Sequence, residues 1–310
     1  MLGKPGGTLA RTYEWHITAL NNDEESRFKI DCIHQLEGKV NISEYDIFWF
    51  YAKAFQPNLY QHVKALRPDS TIICGPNILL DKPDVGLSDD WDAWYANDCK
   101  PDIHLDQVEF YSNHVKKFLN EDTKKVATVL DKCMKLDDSL YDKNCTKEFE
   151  CLLYSKKRRY DSKFEDFRLN LIDLLEENKI KYCEIPAGKF GSYERKDYFN
   201  LLNKSKVMIN LSLDECPGIL NYESMLFNVP VIGSNHNLPV TPYDDLVVAD
   251  SDFMTDHYLV RKDDAHQKYF EKLNYYLKNK DKFIKEELRE WALNHTSYKR
   301  YVENVVDLLS

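Results

Sequence analysis

Two glutamates, Glu215 and Glu223, stand eight positions apart in DECPGILNYESMLFNVPVIGS, residues 214 to 234. A carboxylate accepts two hydrogen bonds at once, which suits the adjacent hydroxyls of a sugar or a ribose. Between the two, Pro217 fixes a turn and gives up one backbone donor, and Gly218 lets a ligand come close to the backbone. A helix beginning near Gly218 puts Glu223 about 7.5 Å along its axis, with the side chain leaning back toward the helix start. The free N–H groups and partial positive charge of that start form a seat for phosphate. Sugar, diphosphate and ribose in line describe a nucleotide sugar. On spacing alone the plain alternative is that Glu215 caps the helix and Glu223 faces solvent.

A departing diphosphate needs cations. YSKKRRYDSK, residues 154 to 163, supplies Lys156, Lys157, Arg158, Arg159 and Lys163 directly after an apolar run. The bland reading is a solvated basic turn, but a local basic cluster in a chain of net charge −10 favours a phosphate site. No D-x-D is placed to hold a divalent ion, and Asp89-Asp90 and Asp244-Asp245 read as turn acids. The expectation is a metal-independent site. Gly6-Gly7 precedes a helical stretch, and Gly7 is a weak candidate for close approach to the diphosphate or the sugar. His16, His104 and His114 are further candidates, each with a surface or structural reading beside it.

These residues need elements to position them. Phe28 to Ile33, Asp46 to Tyr51, Ser70 to Cys74 and Gln107 to Tyr111 read as short buried strands, with a helix at Leu59 to Leu66. The polar stretch 120–148 reads as a junction, and the alternation then restarts. Phe149 to Tyr154, Ile180 to Ile185 and Val207 to Leu213 are predicted strands, and Phe164 to Glu177 and Asp197 to Asn203 are predicted helices. Lys268 to Leu309 reads as a helical tail with a break near Asn294 to Ser297. Two doubly wound α/β domains follow, and sheets of that kind bind ligands beyond the carboxyl ends of their strands. The boundaries are 1–125, a linker at 126–148, 149–283, and a C-terminal helix at 284–310 packing across the domains.

Composition sets limits. At 43% hydrophobic and 13% aromatic, the 310 residues can build real cores. The charge of −10 disfavours nucleic acid as a partner. No run of about 18 apolar residues and no signal-like N-terminus occur, so a cytoplasmic protein with no transmembrane segment is expected. Eight cysteines without a C-x-x-C pair read as reduced, mostly buried thiols.

SKVMINLSLDECPGILNYESMLFNVPVIGS, residues 205 to 234, resembles the donor-binding segment of retaining GT-B glycosyltransferases, most closely glycosyltransferase family 4. The residues that carry the resemblance are Ser212, Glu215, Gly218, Glu223 and Pro230-Val231; Asn228 stands where the family usually has Gly, and Cys216-Pro217 replace its usual pair. The resemblance implies two Rossmann-like domains facing a cleft, with the first on the acceptor side and the second binding a nucleotide sugar. It implies that Glu215 contacts the donor sugar, that Glu223 holds the ribose diol, and that the amides of Gly218 and Ile219 meet the diphosphate or sugar. Arg158 and Lys163 match the family's basic pair in spacing, Lys157 stands in for Arg158 if the register slips, and Tyr193 lies in the region that reaches the nucleobase.

The implied reaction moves a hexose such as mannose or glucose from a GDP-mannose or UDP-glucose type donor to a hydroxyl on a glycan or related acceptor, with retained configuration and no cofactor. The segment and the Lys, Asp, Asn and Tyr bias also resemble glycosyltransferases of large DNA viruses, for which the location would be host cytoplasm. The rivals are a nucleotide-sugar epimerase and a binding module without catalysis.

Overall fold

Short apolar runs separated by amphipathic stretches cannot pair as tight hairpins, so their strands run parallel through crossovers. The computed structural model describes residues 8–31, 41–50, 57–77, 99, 101–106, 125–128, 133–135, 138–155, 164–185, 194–212, 218–235, 237–238, 241–253, 262–283 and 287–310. The chain divides into two units, Met1–Lys135 with His295–Ser310, and Leu136–Asn294.

In the first unit α1 (Thr8–Asn21) is followed by β1 (Ile47–Phe50), α2 (Pro57–Leu66), β2 (Thr71–Asn77), β3 (Ile103–Asp106) and β4 (Lys125–Thr128). The strands are parallel in the order β1-β2-β3-β4. Register shifts between Cys74 and Asn77, where Gly75 has φ +110° and a Cβ would lie 2.2 Å from the Leu105 carbonyl oxygen. Glycine alone tolerates that approach. Ala19, Leu20, Ile73, Ile103 and Leu105 form a core completed by Tyr301, Val302 and Val305 from the last helix of the chain.

The second unit contains β5 (Phe149–Tyr154), α3 (Phe164–Glu177), β6 (Tyr182–Ile185), α4 (Arg195–Lys204), β7 (Ser205–Asn210), α5 (Ile219–Leu226), β8 (Val231–Ser234), β9 (Val247–Val248), α6 (Asp250–Phe253), α7 (Ala265–Lys278) and nearly all of α8 (Glu287–His295). The final helix, α9 (Tyr298–Leu309), belongs to the first unit; Ser297 caps it, its Oγ accepting from Arg300 N at 3.3 Å. The five strands are parallel in the order β6-β5-β7-β8-β9. Cys151, Leu152 and Leu153 are buried, as central strands of a doubly covered sheet must be.

Asn228 follows α5 with φ +59°. Its N–H bonds to the Met225 carbonyl at 2.9 Å and the N–H of Val229 to the Ser224 carbonyl at 3.0 Å, the two bonds of a Schellman cap. The left-handed position such a cap requires is usually glycine, and asparagine is the next residue to adopt it. The departure at Asn228 therefore preserves the turn into β8.

The predicted strand at Phe28 to Ile33 is corrected in its described part, Phe28–Asp31, which is irregular. A side chain takes one bond a strand would use, Ile30 N donating to Asn21 Oδ1 at 3.1 Å, and Asp31 Oδ2 accepts from Tyr45 OH at 2.8 Å. The run predicted at Gln107 to Tyr111 lies outside the described residues, immediately after β3. Val126–Thr128, inside the stretch read as a linker, belong to β4.

Candidate functional site

Strand order in the second sheet reverses between β5 and β7. Chain leaving β5 turns to one side of the sheet and chain leaving β7 to the other, which opens a crevice at their carboxyl ends. Tyr154 and Asn210, the last residues of these strands, are register partners, and Leu211 N donates to the Tyr154 carbonyl at 2.9 Å. The two segments that follow in sequence, 156–163 and 213–217, are the basic run and the run containing Glu215.

A buried amide cluster is built at this edge. Asn210 Nδ2 donates to Asn221 Oδ1 at 2.8 Å, and Asn221 Nδ2 donates to the Asn237 carbonyl at 2.5 Å. Asn237 Nδ2 donates to the carbonyls of Asn210 at 3.0 Å and Ser212 at 2.8 Å, while its Oδ1 accepts from Ser234 N at 3.0 Å. Asn210 Oδ1 accepts from Ser212 N at 2.9 Å, which turns the chain out of β7. All three asparagines are buried. Buried amides persist only when paired, and these pairings fix the end of β7, the turn after β8 and the start of α5 as one piece. Gly233 is needed beside them, since a Cβ there would lie 2.5 Å from Asn237 Oδ1.

Helix α5 carries three of the predicted site residues. Gly218 is its N-cap, extended at φ −70° and ψ 136° with no side-chain capping bond, and Ile219 is its first residue. All eight helical residues are buried. Glu223 is 2% exposed, so it is not a solvent-facing glutamate. Its Oε1 accepts from Arg195 Nη2 at 2.5 Å. Arg195 is 40% exposed and opens α4, with its guanidinium carbon 4.9 Å from the centre of the Phe199 ring. Tyr198 OH donates to the Leu220 carbonyl at 3.0 Å and further ties α4 to the first turn of α5.

Beside the same strand ends, Arg168 Nη1 donates to Glu184 Oε1 and Oε2 at 2.9 and 2.8 Å, and Arg168 Nη2 donates to Glu165 Oε1 at 2.6 Å. The Glu165 carboxylate, ahead of the opposing effect of burial, holds the Arg168 guanidinium above its ordinary pKa. Ser155 Oγ donates to Glu184 Oε1 at 3.2 Å. This arginine is occupied by two carboxylates.

Glu215, Lys157, Arg158, Lys163, Tyr193 and Gly7 lie outside the described residues, as does His114. His16 is buried in the first unit and stacks on Tyr301 with ring centres 4.3 Å apart. Asp244 and Asp245 sit in a 3-10 turn, where Asp245 Oδ2 accepts from Tyr275 OH at 3.0 Å. Among the described residues no cluster of three His, Cys, Asp or Glu is arranged to hold a metal, and no helix is long and apolar enough to cross a membrane. Of the described cysteines, Cys74, Cys99, Cys133 and Cys151 are buried and Cys145 and Cys183 partly so.

Arg195 and the three asparagines did not emerge from the sequence. Their one visible sign is polar residues inside apolar runs, Asn210 closing SKVMIN and Asn221 within ILNYESML.

No family model and no curated protein matches the sequence. Among solved structures, the chain is similar to a sucrose-phosphate synthase from Thermosynechococcus elongatus, with TM-score 0.51 and 9% identity over 86% of this chain and 73% of that one. The fold is GT-B. It is an α/β arrangement of two parallel-sheet, Rossmann-like units with a C-terminal helix. A second solved structure, the glycotransferase of kitacinnamycin, matches over 100% of this chain and 86% of that one at TM-score 0.37 and 13% identity.

Proposed function

We propose that the chain is a retaining glycosyltransferase that moves a hexose from a nucleotide diphosphate sugar to a hydroxyl acceptor. The observation that carries this reading is the reversal of strand order between β5 and β7. The strands on either side of that reversal are each followed in sequence by a segment whose chemistry suits a nucleotide sugar, the basic run 156–163 after β5 and the Glu215 segment after β7. The GT-B fold and the sequence resemblance over residues 205 to 234 support the same assignment.

In this reading the start of α5 and the cations of Lys157, Arg158 and Lys163 stabilise the leaving diphosphate, Glu215 orients the sugar, and Glu223 holds the ribose. Tyr193 and Gly7 would lie at the base and at the diphosphate or sugar. The bond between the anomeric carbon and the phosphate oxygen breaks and the bond to the acceptor oxygen forms on the same face. The acceptor proton passes to the departing phosphate. Cationic side chains and the helix start take the part a metal would play. Donors of the GDP-mannose and UDP-glucose types are both compatible with this reading, with a glycan hydroxyl as acceptor.

The test is calorimetry of GDP, UDP, ADP and their sugar conjugates without metal, on wild type, Glu223→Ala and the near-isosteric Glu223→Gln. One nucleotide bound by wild type and weakened at least tenfold in both variants is the expected result. No binding by wild type overturns the reading. Donor hydrolysis without acceptor then separates an enzyme from a binding module.

A further inference from the structure

Resting on that reading, we infer that Arg195 is the positioning residue for Glu223 and sets the preference of the site for ribose over 2′-deoxyribose. A carboxylate selects a diol only if its plane is fixed, because both hydroxyls must meet its lone pairs together. In α5 one oxygen of the Glu223 carboxylate is held from outside the helix. The Arg195 guanidinium bonds Glu223 Oε1 at 2.5 Å and is itself held against the Phe199 ring, which stacks on Phe227 with centres 4.8 Å apart. The planar donor therefore has both an aromatic ring and a buried carboxylate as neighbours.

The pair also joins two stretches of chain that the sheet keeps apart. Arg195 begins the helix after β6, and Glu223 stands in the helix after β7. Glu223 is 2% exposed and Arg195 40%. The arginine thus spans from solvent to a carboxylate that water barely reaches. Lysine would keep the charge but lose the planar fork and the ring stack.

The experiment titrates whichever of GDP, UDP or ADP binds wild type, and its 2′-deoxy counterpart, into wild type, Arg195→Ala and Arg195→Lys, with a thermal melt of each. Wild type is expected to prefer the ribose form at least tenfold, Arg195→Ala to lose that preference through weaker binding of the ribose form, and Arg195→Lys to recover part of it. A merely structural arginine would weaken both nucleotides alike and leave their ratio intact, which would overturn the inference, as would equal affinity of wild type for the two sugars. If Arg195→Ala melts below the assay temperature, Arg195→Lys decides, and a full wild-type ratio in it overturns the inference. Absence of any nucleotide binding by wild type overturns the glycosyltransferase reading itself and is thereby distinguishable.

Discussion

Asn237 donates through one amide nitrogen to the carbonyls of Asn210 and Ser212, at 3.0 and 2.8 Å, and so ties the turn after β8 to the end of β7. The same side chain accepts from Ser234 N. Asn237→Ala removes three hydrogen bonds from a buried place, two to carbonyls and one from an N–H. The expected loss is about 3 kcal/mol at the usual cost of an unsatisfied buried group, read as a lower urea midpoint by tryptophan fluorescence. Little change would mean that water replaces the amide.

The left-handed residue after α5 gives a second test. Asn228→Ala puts a residue with no local hydrogen-bonding side chain at φ +59° and is expected to cost about 1 kcal/mol. Asn228→Gly suits the same φ and also removes Asn228 Oδ1, a buried oxygen without a hydrogen-bond partner. Its melting temperature is expected to equal or exceed that of wild type.

Gly75→Ala is expected to be far more damaging than Asn228→Ala. Its Cβ would meet backbone, the Leu105 carbonyl oxygen at 2.2 Å, at φ +110°, and backbone in a paired strand cannot step aside as a side-chain tip can. Soluble yield and the thermal melt compare the two variants. A Gly75→Ala protein that melts with wild type would show that the β2–β3 register has slack.

Glu150 carries a pH dependence. Burial raises its carboxyl pKa, but hydrogen bonds from Lys206 at 2.5 Å and Lys280 at 2.9 Å outweigh this and leave it below the ordinary 4.5. A carboxyl depressed in the folded state stabilises above its unfolded value, and that contribution disappears as pH falls through the folded value. Glu150→Gln should therefore melt lower than wild type at pH 7 and converge with it in acid. The gap should be modest, about 1 kcal/mol or less for a pair this exposed. A gap that is equal at both pH values would assign the effect to packing.

Legibility in the sequence followed the range of the forces involved. FECLLY and FEDFRLNLIDLLEE gave β5 and α3 to the residue, because buried runs and helical periodicity are local properties. The start of α5 after Gly218 was legible from Pro-Gly punctuation. The amide cluster was not, since Asn210 meets Asn221 and Asn237 across 11 and 27 positions. Periodicity assigns a face, not a partner. For the same reason Glu223 could be singled out while Arg195, 28 positions away, could not. Phe28 and Ile30 alternate like a strand, yet neighbouring side chains at Asn21 and Tyr45 capture that stretch through hydrogen bonds that alternation does not report.

The first unit is assembled from both ends of the chain, with Tyr301, Val302 and Val305 inserted among Ile73, Ile103 and Leu105. Synthesis proceeds from the N-terminus, so the second unit has left the ribosome before this core can close. The first unit therefore matures only after the second has been made and spends that interval with an unfilled apolar seam. Chaperone dependence and sensitivity to premature termination are expected to fall on residues 1–135, although the missing segment would be at the opposite end.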